Sequence, residues 1–306
     1  MRPHTRAAVA ATIALALLAF AGCSADPEPT ATDPEPTERS SSAAPTEEPS
    51  ESETGAEPSE PSEEPDRTTV PAYFVGDTPQ GPRLFREFQR ADDLGAGQSG
   101  LALLEAGPLD PDYRSLWPDG AFASLSDPAG GQVDVTLADA SYGSRPDGMS
   151  KAEARMAVEQ VIYTLQAGFQ ERLAVQFRIG DNPTARVYGV PTSEPLANGP
   201  MLETLALVSV TSPEEGSTVS GSFTASGVAS SFEATVPWEI RQGTTVVASG
   251  FSTAEGWMDK LYPWKTEVDV SGLEPGDYEF VALTDDPSGG AEGAGPTEDS
   301  KAITVE

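Results

Sequence analysis

Residues 24–66 contain no apolar side chain larger than alanine, yet they hold 14 acidic residues, nine prolines and a single basic one, Arg39. Such a stretch has nothing to bury, and its like charges repel, so chain entropy goes unopposed and disorder is the expected state. Compact structure must therefore lie after it. The repeated Asp26-Pro-Glu-Pro-Thr and Asp33-Pro-Glu-Pro-Thr units are low-complexity echoes rather than folded repeats. Extended at ~3.1 Å per residue, the segment would reach roughly 130 Å, which suits a spacer. Of the chain's net charge of −31, this stretch supplies −13 and the residues after it −20. An acidic folded part is a poor partner for nucleic acid or for anionic lipid by charge alone.

Ahead of the acidic stretch, Arg2 and Arg6 precede an uncharged run from Ala7 to Gly22 and then Cys23. A basic start followed by an apolar run too short for a comfortable membrane span reads as a secretory signal. The closing Phe20-Ala21-Gly22-Cys23 resembles a bacterial lipoprotein lipobox, with Phe20 where leucine is usual. The resemblance implies cleavage before Cys23 and diacylglycerol on its sulfur. Two acyl chains anchor stably where one is marginal. Residues 1–23 are thus expected to be a lipoprotein signal peptide, and the mature chain to be tethered to the outer face of the plasma membrane. The alternative is an ordinary signal peptide cut at the same small residues.

Residues 67–195 read as an α+β domain. Val70, Ala72 and Phe74 alternate with Pro71, Tyr73 and Val75, so both faces are apolar and the strand belongs in the interior of a sheet. Val133, Val135, Leu137 and Val175, Phe177, Ile179 alternate as strands, and Val187, Tyr188 and Val190 do so more weakly. Ser150 with Glu153 forms a capping box ahead of Ala154, Ala157, Val158, Val161, Ile162 and Leu165 at helical spacing. A shorter helix spans Gln98 to Ala106 and stops at Gly107-Pro108. The run 83–90 fits either a helix, with Arg83, Arg86 and Arg90 on one face, or a strand pairing with the first across a turn from Gly76 to Pro82.

Val70-Pro-Ala-Tyr-Phe-Val-Gly76, Leu84-Phe-Arg-Glu-Phe-Gln-Arg90, Leu101-Ala-Leu-Leu-Glu-Ala-Gly-Pro108, Leu116-Trp-Pro-Asp-Gly120 and Val161-Ile-Tyr-Thr-Leu-Gln166 together resemble the GerMN domain, the sporulation and spore germination module of bacterial envelope lipoproteins. The resemblance implies an α+β sandwich with no catalytic residue to carry over, and it makes 83–90 a strand. Tandem copies occur in the sporulation protein after which the domain is named, whereas only one is found here.

Residues 203–306 change character to short strands with turn residues between them and no helix, about seven in all, which suits an all-β immunoglobulin-like sandwich. They are read at 205–210, 219–228, 236–240, 246–251, 264–270, 278–282 and 303–305. Leu273-Glu-Pro-Gly-Asp-Tyr278 reads as a tyrosine corner, making Tyr278 a structural residue. Val210-Thr-Ser-Pro-Glu-Glu-Gly216, Gly227 through Phe232-Glu-Ala-Thr-Val236, Glu239-Ile-Arg241 and Ile303-Thr-Val305 resemble the immunoglobulin-like domain of bacterial spore germination, which commonly follows GerMN.

The single histidine, His4, falls in the leader, and the single cysteine, Cys23, is expected to be taken up by lipid. Histidine-dependent triads, His-containing zinc sites and histidine acid–base chemistry are thereby excluded from the mature chain. A carboxylate pair of the glycosidase kind or a Ser-Lys dyad is what remains. Lys151 and Lys301 read as solvated surface charges, and Asp110-Pro-Asp112 and Asp285-Asp286 as turns. No catalytic residue, metal or cofactor is expected beyond the acyl chains on Cys23.

Two surfaces are candidates for partner binding. Trp257, Met258, Tyr262 and Trp264, with Leu261, crowd one connection of the sandwich, and aromatics with methionine make interface cores. Folding back over an open sandwich edge is the alternative. Arg83, Arg86 and Arg90 stand out in an acidic domain, with local ion pairing as the blander account. The expected function is a membrane-anchored scaffold with an envelope protein partner. A module that binds peptidoglycan or another wall glycan is the alternative, and a glycan hydrolase a remote third.

Overall fold

The structure is a computed structural model that describes residues 66–288, 291 and 293–306. The leader, Cys23 and the acidic stretch as far as residue 65 lie outside the described residues.

The first module opens with a hairpin of β1 (Arg67–Thr78) and β2 (Gly81–Asp92), in unbroken register from Arg67↔Asp92 to Thr78↔Gly81. The 83–90 run is therefore a strand. The turn is tighter than the sequence suggested: only Pro79 and Gln80 lie outside the strands, and the Thr78 hydroxyl holds it by donating to the Gly81 carbonyl at 2.8 Å. Helix α1 (Gln98–Ala106) follows, then β3 (Tyr113–Arg114), which pairs with the other edge of β1. β1 is thus central, which explains its apolar character on both faces. Phe74, opposite Phe85, enters the main core, while Val75, opposite Leu84, enters a second cluster with Met156, Tyr163 and Leu205.

β4 (Phe122–Leu125) and β5 (Gln132–Leu137) lead to α2 (Lys151–Phe169), which returns the chain to β6 (Ala174–Ile179) parallel to β5. Parallel strands need such a crossover. The capping box that starts α2 is complete: Ser150 Oγ accepts from the Glu153 amide at 3.0 Å, and the Ser150 amide donates to Glu153 Oε2 at 2.9 Å. The apolar stripe of α2 packs Ala157, Val161, Ile162 and Leu165 into the same core as Val133, Val135 and Phe177. Fully buried rings such as Phe74 and Phe177 each stabilise the core by about 2–3 kcal/mol.

β7 (Asn182–Pro183) pairs with β6. The stretch 187–190, expected to be one weak strand, is a tight hairpin of β8 (Arg186–Val187) and β9 (Val190–Pro191). Its turn residues Tyr188 and Gly189 both have positive φ, 47° and 81°, as a two-residue hairpin turn demands. A one-turn helix, α3 (Met201–Thr204), then delivers Leu205 and Ala206 to β2 through a Leu84↔Leu205 bridge and an Ala206 amide bond to the Leu84 carbonyl. Leu205 therefore belongs to the seam between modules and not, as expected, to the first sandwich strand.

The second module has eight strands among the described residues: β10 (Val208–Ser212), β11 (Ser217–Val219), β12 (Ser222–Ala229), β13 (Thr235–Gln242), β14 (Thr245–Thr253), β15 (Tyr262–Asp269), β16 (Gly276–Leu283) and β17 (Glu298–Val305). They form a three-stranded sheet, β10-β12-β15, and a five-stranded sheet, β11-β17-β16-β13-β14. Inward residues of both sheets, among them Val210, Trp264, Val268, Ile240 and Phe280, make one core. The expected strand over 219–228 is split in two at Gly221, whose φ of 63° turns the chain. A 3-10 turn at Phe232–Ala234 is also present in a region expected to hold no helix. At Gly227 the backbones of β10 and β12 come so close that an added Cβ would lie 1.9 Å from the Ser209 carbonyl oxygen.

Candidate functional site

Three features concentrate chemistry: a buried charge cluster between the modules, an exposed apolar patch on the sandwich and the arginine face of β2.

The cluster grows out of β17. Asp299, Lys301, Ile303 and Val305 alternate inward, so strand geometry places a carboxylate and an ammonium where the next two positions hold core residues. Lys301 is 4% exposed, which overturns its reading as a solvated surface charge. Its Nζ forms an ion pair with Asp110 of the first module and a longer one, 3.3 Å, with Asp299. It also donates to the Tyr113 hydroxyl at 2.8 Å. That hydroxyl in turn donates to Asp299 Oδ1, and Asp299 Oδ2 accepts the Val210 amide. The Asp110 turn is real, since its Oδ1 accepts the Asp112 amide at 2.8 Å, but the other oxygen of Asp110 serves Lys301. Glu87, also buried, accepts from the Leu109 and Asp110 amides and from the Gln89 side chain.

The cluster's electrostatics follow from burial and from two carboxylates, Asp110 and Asp299, facing one ammonium. Burial pulls the Lys301 ammonium down, but Asp299 and Asp110 outweigh it and hold its pKa above the usual lysine value. Burial pushes the Asp299 carboxyl up, with Lys301 and Tyr113 opposing. Burial first, then the Asp299 and Asp110 charges, push the Tyr113 phenol well above its usual range, which keeps it a donor. Around the cluster the seam is tied by Ser300 to Asp112 at 2.7 Å, Thr297 to Gln80 at 3.1 Å and Arg86 to Thr211 at 3.4 Å.

The exposed patch lies where two loops of the sandwich meet. Trp257, 38% exposed, meets Phe232 edge-on with ring centroids 5.4 Å apart, and Met258 is 66% exposed. Glu233, Ala234 and Met258 all have positive φ, a conformation that costs non-glycine residues about 1–3 kcal/mol each. Tyr262 is half-buried at the edge, its hydroxyl donating to Asp259 at 2.7 Å under the Lys260 ammonium. Trp264 must be withdrawn from the surface set: it is 3% exposed and packs in the sandwich core. On the edge strand β14, Val247 and Phe251 also point outward, 40% and 69% exposed. The sequence reading missed Phe232 and Phe251, although the alternation of β14 carries the second.

The three arginines do not share a face. Strand alternation puts Arg86 and Arg90 on one side of β2, with Phe88 between them, and Arg83 on the other. The expected local ion pairing is absent as well: among the described residues none of the three forms an ion pair with a carboxylate. Arg86 stacks over Phe88 at 4.8 Å, and its Nε is buried without a hydrogen-bond partner. Arg83 donates to the Pro82 carbonyl. Tyr278 completes its corner, its hydroxyl donating to the Glu274 carbonyl at 2.8 Å. Among the described residues no group of three or more His, Cys, Asp or Glu is placed to hold a metal, and no helix is long and apolar enough to cross a membrane.

No curated protein matches this chain. Among solved structures, the tandem GerMN domains of the sporulation protein GerM from Bacillus subtilis align at 11% identity over 48% of this chain, with a TM-score of 0.34. The aligned part spans 50% of that GerM chain. An endo-beta-1,4-mannanase from Thermotoga petrophila aligns at 11% identity and a TM-score of 0.26, over 54% of this chain and 37% of that one. Scores this low add nothing to the assignment, which rests on family models. Residues 71–185 match the model described as sporulation and spore germination, and residues 207–291 match that of the immunoglobulin-like domain of bacterial spore germination. The chain carries, in this order, a GerMN domain and a spore germination immunoglobulin-like domain.

Proposed function

We propose that this protein is a non-catalytic scaffold of the bacterial envelope, lipid-anchored through Cys23, that holds a protein partner against the Trp257 and Met258 patch. The observation that carries this reading is the pairing of a buried, hydrogen-bonded seam with an exposed apolar surface. Buried charges bind the two modules to each other, while Phe232, Trp257 and Met258 stay at the surface on strained loops. Aromatic residues and methionine are enriched in interface cores, and strain is kept where a surface has work to do. The absence of histidine from the mature chain and the nature of the two families support a role without catalysis. The lipobox-like residues before Cys23 support the anchor, and the acidic stretch supplies the reach.

The test is photo-crosslinking in intact cells with probes at Trp257 and, as a second position, Arg86. Dominance of one envelope protein among the Trp257 adducts is expected, and Trp257→Ala with Met258→Ser abolishes its capture. Only wall material or scattered neighbours among the adducts would overturn the reading.

A further inference from the structure

A second surface, on the first module, gathers positive charge in a chain whose net charge is −31. A cavity of about 490 Å³ is lined by Arg145, Lys151, Arg155, Tyr188, Val190 and Pro191, together with Ala154 and Gly189. Lys151 and Arg155 stand one turn apart on α2 and so project side by side. Arg145 approaches from the preceding loop, where its Cβ would lie 3.8 Å from a Cβ on Gly189. Arg186 adds a fourth cation at the hairpin, donating to the Gly189 carbonyl at 2.9 Å. Among the described residues none of the four forms an ion pair.

No acid is among the residues that line the cavity. Glu153 faces Arg114 and the Ser150 amide, and Glu159, one turn beyond Arg155 and within reach of its charge, accepts the Gly199 amide at 2.9 Å. Asp147 is exposed on the loop and is not among the lining residues. At the start of α2 the Ser150 side chain takes the Glu153 amide, and the charges that line the cavity are those of the Arg and Lys side chains.

The floor is apolar and held in place. Tyr188 is 4% exposed, its ring packs 5.0 Å from Trp117 and 5.9 Å from Tyr142, and its hydroxyl donates to the Leu116 carbonyl. This packing fixes a bulky residue at a φ of 47°, which such residues rarely adopt. Val190 and Pro191 complete an apolar wall beside the cations.

We propose that this pocket binds a phosphorylated saccharide, its phosphate held among Arg145, Lys151 and Arg155 and its sugar ring lying on Val190 and Pro191, which the buried Tyr188 turn positions. Arginine and lysine are the usual phosphate-binding side chains, and a ring against an apolar wall uses the part of the cavity that a bare anion would leave empty. A phosphate-bearing polymer strand meets only this local positive field. A broad anionic bilayer would also face the acidic surface of the folded part, so the polymer is favoured over a lipid headgroup. The site is on the other module from the Trp257 patch, and the proposal does not depend on the scaffold reading.

The test uses the purified full chain in nonionic detergent, titrated calorimetrically with glucose 1-phosphate, glucose, inorganic phosphate and a soluble poly(glycerol phosphate), with sedimentation of vesicles of phosphatidylcholine and phosphatidylglycerol as a further arm. Glucose 1-phosphate is expected to bind more tightly than inorganic phosphate, glucose not at all, and the polymer to compete with glucose 1-phosphate. Lys151→Gln with Arg155→Gln changes exposed side chains and should weaken glucose 1-phosphate by at least about tenfold. Unchanged thermal unfolding of the variant would show that the loss is local. No binding of glucose 1-phosphate, equal binding of inorganic phosphate, binding to vesicles alone, or affinity untouched by the double substitution would each overturn the proposal.

Discussion

The Tyr113 hydroxyl, in the first module, donates a hydrogen bond to the Asp299 carboxylate in the last strand of the second, 186 positions away in sequence. Lys301 donates to the same hydroxyl from the other side. The phenol therefore works as a relay between two opposite charges that burial has removed from water. None of the three can be changed without disturbing the other two.

Removing the ammonium should show this most clearly. Lys301→Met leaves Asp110 and Asp299 buried without their cation, and the expected loss of stability is about 3–5 kcal/mol. Adding Asp299→Asn to Lys301→Met should recover part of that loss, because one stranded charge is then gone. Urea unfolding of the parent, the Lys301→Met and Asp299→Asn single variants and the double variant closes the cycle. Additive losses would mean that the pair is not coupled.

The cluster also fixes a direction for pH dependence. The pKa values of Lys301 and Tyr113 are both raised by folding, so their contribution to stability is complete below their ordinary values and is lost as pH rises through the raised ones. The thermal midpoint should accordingly fall above about pH 10, and fall less steeply in Lys301→Met. Asp299 is raised as well, so its own contribution is present in acid and is lost as pH climbs past its raised value. Melting curves between pH 3 and pH 12 on parent and variant test both limbs.

Two tryptophans seven residues apart should behave oppositely. Trp264→Ala empties a core position and is expected to cost about 3–5 kcal/mol. Trp257→Ala alters an exposed loop and should cost no more than about 0.5 kcal/mol. Chemical unfolding of each variant separates them, and similar losses from both would mean that the Trp257 loop is part of the core.

The close backbone approach at Gly227 gives a third structural check. Gly227→Val would drive a side chain into the Ser209 carbonyl and the Trp264 ring, and a loss of about 3 kcal/mol or more is expected. Removing the helix cap with Ser150→Ala is milder, about 1 kcal/mol, because only the start of α2 loses its partner.

Features that depend on neighbours in sequence were legible. Ser150 and Glu153 announce α2 because a capping box is complete within four residues, and the Tyr278 corner likewise needs only Glu274. The charge cluster was not legible, although half its signal was present: stepping back by twos from Val305 and Ile303 lands on Lys301 and Asp299. An inward lysine makes sense only once Asp110 and Tyr113 are known to meet it, and nothing local brings residues about 190 positions apart together. Trp264 was misplaced for a related reason. It alternates inward with Val268, but the crowd of aromatics around Trp257 gave it the appearance of a surface residue. The cationic pocket needed the fold outright, since Arg145, Arg155 and the Tyr188 turn share no periodic pattern.

The seam between the modules has a consequence for assembly of the chain itself. Two greasy surfaces can slide past each other by several ångströms and still remain in contact. A buried ammonium that needs Asp110, Asp299 and a phenol at once has a single satisfactory alignment, and every offset arrangement leaves a charge stranded away from water. The charges at the seam thus act as a key that admits one angle between the modules, so that the Trp257 patch and the cationic pocket keep a fixed geometry to each other.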